Sequence, residues 1–109
     1  MTEDNDQQNN STKITKEKVI EILEQVIDPE LQIDIWTLEL VYDINIKNDR
    51  IIITMTFTTP LCPYGPMLVE DVKEKLTMIK GVKSVDVLVS FEPLWKPSEN
   101  LKDMLGIGL

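Results

Sequence analysis

The residues of this chain with chemistry to offer are few and close together. The stretch Thr58-Thr59-Pro60-Leu61-Cys62-Pro63-Tyr64-Gly65-Pro66 holds the only cysteine of the sequence. Pro60 and Pro63 stiffen the turn around Cys62, and Pro66 suits the start of a helix, so the sulfur is expected near a helix's positive end. That placement favours thiolate over thiol, and a thiolate is both nucleophile and metal ligand. Cysteine is equally a small apolar filler of cores, and the stretch by itself leaves both readings open. The second candidate is Asp28-Pro29-Glu30. Asp-Pro is first of all a turn signal, yet the loop it opens is able to bring Asp28 or Glu30 towards another loop.

What the composition excludes is sharper than what these motifs include. With 109 residues and 42% apolar content, the chain supports one modest two-layer core. It has no histidine, which removes Ser-His-Asp triads, His-ligated zinc and imidazole acid-base chemistry within one chain. A lone cysteine forms no internal disulfide. A net charge of -8 leaves no basic surface for phosphates, so neither nucleic acid nor an anionic membrane is expected as a partner. Met1-Thr2-Glu3-Asp4-Asn5-Asp6 lacks the basic and apolar regions of a secretion signal, and no run reaches bilayer length. The expected site of action is the cytoplasm. No P-loop follows Gly65 or Gly81, so any ATP-driven step belongs to a partner.

The elements that must position the candidates are read from periodicity. Residues 1–12 carry no large apolar group to offset the entropy of ordering, so a disordered tail is expected there and a single domain over 13–109. Val19, Ile22, Leu23, Val26 and Ile27 fall on one helical face, which predicts a first helix from Thr15 to Ile27, capped by Thr15 and stapled by Ile14. Pro29 ends it at Asp28. After a long apolar loop, Leu40, Tyr42, Ile44 and Ile46 alternate with Val41, Asp43, Asn45 and Lys47, a turn follows at Asn48-Asp49, and Ile51 to Thr58 return as a second strand. Pro66 to Lys80 predict a second helix with Leu68, Val69, Val72, Leu76 and Ile79 inward and Gly81 closing it. Lys83 to Phe91 form a third strand. The α-β-β-α-β order implies an α+β fold, a two-layer α/β sandwich in which two helices cover one face of a three-stranded mixed sheet. The far face, with Ile52 and Leu88, is then a candidate docking or homodimer surface. In the proline-rich end, Trp95 is expected to anchor the segment on the body or on a partner, ahead of a helical turn from Glu99 to Leu105.

Four motifs in order, Asp28-Pro29-Glu30, Leu38-Glu39-Leu40-Val41-Tyr42, Thr58-Thr59-Pro60-Leu61-Cys62-Pro63 and Pro93-Leu94-Trp95, resemble the metal-sulfur cluster biosynthesis family of PaaD and SufT type. The likeness covers residues 15 to 109. It implies the same fold, an iron-sulfur cluster assembly-type domain, and a non-enzymatic accessory role in assembling or delivering iron-sulfur clusters. The family's reactive cysteine corresponds to Cys62 and its acidic motif to Asp28 and Glu30, with Thr58, Thr59, Pro60 and Pro63 positioning the turn. Three residues depart from the family pattern: Glu39 stands where glycine is usual, Leu61 where a small or polar residue is common, and Leu94 where a second proline precedes the tryptophan.

Ligand chemistry bounds such a role. One thiolate per chain does not complete the ligand set of an iron-sulfur cluster, so no cofactor is expected to be held stably. A transient cluster or iron with Cys62 as ligand, a site bridging two chains, and docking that hands client apoproteins to a cluster carrier or scaffold are all compatible with one thiolate, and the last two are favoured. The alternative reading is an assembly subunit of a multicomponent oxygenase, as the PaaD branch implies. A thiol redox enzyme ranks last, since the chain offers neither a resolving cysteine nor an obvious general base.

Overall fold

A computed structural model of the chain describes residues 14–61 and 63–105. Helix α1 spans Lys16–Leu23, and Thr15 caps it through Oγ1, which accepts from the Lys18 N–H at 3.2 Å. Val19 and Leu23 are fully buried, and Ile14 just before the cap is buried with them. The helix ends at Leu23, short of the Ile27 that periodicity suggested. Bonds from Gln25 N to Ile22 O and from Val26 N to Leu23 O tighten its last turn, and the chain leaves to pair Ile27 with Asp34. Val26 stays in the core, but Ile27 is turned outward and is 48% exposed.

Strands β1 (Val41–Lys47) and β2 (Arg50–Met55) form an antiparallel hairpin closed by Asn48 and Asp49, with Asn48 in the left-handed region at φ 56°. The register runs from Lys47↔Arg50 to Asp43↔Thr54, then slips so that Val41 faces Met55 and Tyr42 has no opposite residue. This bulge breaks the expected alternation. Val41, Ile44 and Ile46 pack on the core, whereas Tyr42 is released and its hydroxyl donates to the Pro93 carbonyl at 2.7 Å. Beyond β2 the pairing continues informally, Thr56 N donating to Leu40 O at 2.8 Å.

A crossover through α2 (Gly65–Thr77) brings β3 (Ser84–Val89) alongside β2 in parallel register, from Arg50↔Ser84 to Met55↔Val89. The sheet is mixed, in the order β1-β2-β3. Leu68, Val72 and Leu76 of α2 are buried, and Val69 is partly covered. The helix stops at Thr77 instead of Lys80 because i→i−3 bonds from Met78 and Ile79 close its end, after which Gly81 at φ 95° redirects the chain. Only glycine adopts that φ without strain.

Helices α1 and α2 pack together over Ile51, Ile53 and Met55, giving the two-layer α+β arrangement. The other face carries Ile52, Thr54, Asp43, Asn45 and Leu88 and an Arg50–Asp86 ion pair, with Leu88 55% exposed. A short third helix, α3 (Glu99–Leu105), starts at Ser98, whose Oγ accepts from Leu101 N at 3.2 Å. Leu101 seals the core. Among the described residues no helix is long and apolar enough to cross a membrane.

Candidate functional site

The loop after α1 is held by its own backbone. Ile35 N donates to Val26 O at 2.9 Å and Asp28 N to Ile33 O at 3.0 Å, which folds residues 26–35 back on themselves. At the apex, Asp28 Oδ1 accepts from Glu30 N at 2.8 Å and from Leu31 N at 3.0 Å, and Gln32 N donates to the Asp28 carbonyl at 2.6 Å. Asp28 thus acts as the cap of its own turn, which is what short polar side chains do before proline. The side chain is only 1% exposed, and its Oδ2 has no hydrogen-bond partner among the described residues. A buried acceptor of this kind is destabilising by about 1–3 kcal/mol, so Oδ2 retains strong capacity for a donor or a cation. Glu30 gives its backbone N–H to Asp28 but its side chain is exposed. The two carboxylates therefore occupy different environments, one in the interior and one in solvent.

A second turn follows directly. Asp34 Oδ2 accepts from Thr37 N at 2.8 Å, Leu38 N donates to Asp34 O, and the chain enters β1 through Glu39 at φ 63°. This is the left-handed region that favours glycine. Glu39 keeps the backbone turn that the family resemblance associates with glycine, at the expense of strain. Leu38 supplies the acceptor for Trp95, whose Nε1 donates to the Leu38 carbonyl at 2.6 Å while the indole packs half-buried on the core. Together with the Tyr42–Pro93 bond, this lays residues 93–95 across the start of β1.

The 58–66 turn is built on an aromatic base. Phe57 meets Phe91 edge-on, with ring centroids 5.9 Å apart, and Gly65 is pressed so close that a Cβ there would lie 2.5 Å from the Phe57 ring. Above this base Thr58 is half-buried, and Thr59 Oγ1 accepts from Leu61 N at 3.2 Å. Pro60, Leu61, Pro63 and Tyr64 are exposed, Leu61 to 87%. Tyr64 is the N-cap of α2 and makes no side-chain cap bond, so the helix's first N–H groups keep free donor capacity; Gly65, not Pro66, is its first residue. Cys62 lies outside the described residues, as do residues 1–13 and the chain from 106 onward. No group of three or more Cys, Asp or Glu side chains among the described residues is arranged to hold a metal ion.

The contact of Gly65 with Phe57, the strained φ of Glu39 and the outward turn of Ile27 are features that periodicity did not reveal. Gly65-Pro66 was the available signal for the first, since glycine next to a helix-starting proline suggests a close approach. For Ile27 the signal was Asp28, whose preference for capping its own turn competes with helix.

Residues 16–89 match the model of a family described as iron-sulfur cluster assembly protein. Among curated relatives, the Fe-S protein maturation auxiliary factor YitW of Bacillus subtilis is 43% identical over 96 residues, covering 84% of this chain and 94% of that one. An iron-sulfur cluster carrier protein of Synechocystis is 32% identical over 95 residues, which span 87% of this chain but 26% of the carrier. Among solved structures, a conserved hypothetical protein from Thermotoga maritima superposes with a TM-score of 0.78 at 40% identity, covering 90% of this chain and 98% of that chain.

Proposed function

Because this chain belongs to the iron-sulfur cluster assembly protein family, we propose that it is a non-enzymatic accessory factor that helps deliver iron-sulfur clusters to client apoproteins, with Cys62 as its working thiol. The observation that carries the reading is the likeness to the B. subtilis maturation factor, which extends over nearly the whole of both chains. The cluster is cargo and not a resident cofactor. With one cysteine in the sequence and no metal-holding group among the described residues, the remaining ligands come from a partner, a second copy or a small thiol.

The start of α2, which follows the cysteine-bearing turn directly, supports this assignment. An uncapped helix N-terminus at the end of the turn stabilises negative charge, which suits a thiolate ligand. Asp28 keeps one buried carboxylate oxygen without a hydrogen-bond partner among the described residues, in the loop after α1, and its role is taken to be in holding that loop. Glu30, exposed, is a contact residue for partners. The likeness to a domain-sized part of a cluster carrier favours carriers as those partners, in the cytoplasm. The oxygenase-assembly alternative draws no support from these relatives.

The test is complementation. In a bacterium deleted for the gene, the activity of client iron-sulfur enzymes in extracts is measured after restoring the wild-type chain, Cys62→Ser or Asp28→Asn. Wild type restores activity, Cys62→Ser does not, and Asp28→Asn restores it in part. Full restoration by Cys62→Ser sinks the assignment of the thiol.

A further inference from the structure

Helix α2 presents to solvent a surface that the core does not require. Ile27, turned outward where α1 ends early, is 48% exposed, and Met67 in the first turn of α2 is 53% exposed. With Leu68, Glu70, Asp71 and Glu74 they line a groove of about 400 Å³. Its floor is apolar and its rim is acidic. Asp71 is paired with Lys75, but Glu70 and Glu74 form no ion pair among the described residues. They stand at i and i+4 on one helix, where like charges repel and weaken the helix. Exposed apolar side chains bracketed by uncompensated carboxylates form a surface complementary to a cation-flanked apolar group.

We propose that this groove docks a segment of a partner protein that inserts an apolar side chain between Ile27 and Met67 and sets lysine or arginine against Glu70 and Glu74. Charge selects this occupant over the N-terminal segment and over a second copy of the chain. Residues 1–13 carry Glu3, Asp4 and Asp6 against a single Lys13, and a second copy brings another net charge of -8. Both meet the rim with like charge. Met67 is the adaptable contact, since a flexible thioether reshapes itself to an incoming side chain. Position gives the groove its use: Ile27 adjoins Asp28, and Met67 follows Pro66 at the end of the cysteine-bearing turn. A partner seated there lies between the two candidate segments. That the partner is a cluster carrier or client rests on the function proposed above, whereas the docking itself does not.

The experiment uses the full chain, labelled with nitrogen-15, and three short helix-forming peptides: leucine with lysine, leucine with glutamate, and serine with lysine at the same charge. Amide shift changes on adding the leucine–lysine peptide are expected to cluster at Ile27, Met67, Glu70 and Glu74. The other two peptides bind about tenfold or more weakly, and Glu70→Lys with Glu74→Lys weakens the first peptide by a similar factor. All of these positions except Leu68 and Asp71 are exposed, so Met67→Asp serves as a second folded variant. Equal binding of the serine–lysine peptide, shifts spread over the outer sheet face, or a dimer in sedimentation that the same substitutions dissociate overturns the proposal. In the complementation assay, the Glu70→Lys, Glu74→Lys chain is expected to lose maturation of the client iron-sulfur enzymes. If it retains maturation while Cys62→Ser loses it, the docking site is wrong and the functional reading stands; if both retain it, the functional reading falls.

Discussion

One carboxylate oxygen of Asp28 holds the loop that follows it, and the other is buried without a partner among the described residues. Asp28→Ala removes the acceptor of two N–H groups and is expected to lower stability by about 1–3 kcal/mol in urea unfolding, whereas Asp28→Asn keeps Oδ1 and loses clearly less. Equal losses for the two variants contradict the capping role. Glu39 makes the opposite prediction. At φ 63° it holds a conformation disfavoured by about 1–2 kcal/mol for an L-residue, and glycine returns about 0.5–1 of that as unfolded-state entropy. Glu39→Gly should therefore raise stability by about 0.5–1 kcal/mol, read as a higher unfolding midpoint. The turn at Asp28 was legible because Asp before proline has its own local chemistry. The turn at Glu39 was not, since glutamate has no preference for the left-handed region and only the family resemblance marked the position.

Element boundaries are set where local propensity meets a tertiary demand. The start of α1 was legible to the residue, because Thr15 combines a cap with Ile14 before it and Lys18 after it. Its end was not: the apolar spacing continues through Val26 and Ile27, but pairing of Ile27 with Asp34 outcompetes another helical turn. The bulge at Tyr42 is a similar case, where a hydroxyl partner 51 positions away in sequence disturbs a clean alternation. At α2 the decisive contact is Gly65 against the Phe57 ring. Alanine there gains helix propensity of up to about 1 kcal/mol but forces the ring off Phe91, an overpacking that costs about 1–3 kcal/mol. Gly65→Ala is expected to be destabilising by about 1 kcal/mol in thermal or urea unfolding. A gain in stability would show that the aromatic base yields freely and does not fix the turn above it.

The whole molecule closes through its C-terminal segment, where Trp95 bonds Leu38 and Leu101 seals the core. Trp95→Phe leaves the Leu38 carbonyl without its donor and should speed amide exchange over residues 96–101 while β2 keeps its protection. Uniform loss of protection across both would mean the segment is not a separable strap. Net charge acts at the same scale. With -8 on the chain and the described ion pairs lying partly or largely in solvent, self-repulsion opposes the compact state, so raising salt from about 0.01 M to about 0.15 M should raise the melting temperature. The sequence by itself determined the α+β class, the start of α1, the inward face of β2 and the chemistries ruled out by having no histidine and one cysteine, because these follow from periodicity, caps and composition, which are local or additive. Only the tertiary structure decided the early end of α1, the bulge at Tyr42, the buried unpaired oxygen of Asp28 and the outward turn of Ile27, because each depends on hydrogen bonds made outside a single helix or strand and on which groups the packed layers bury.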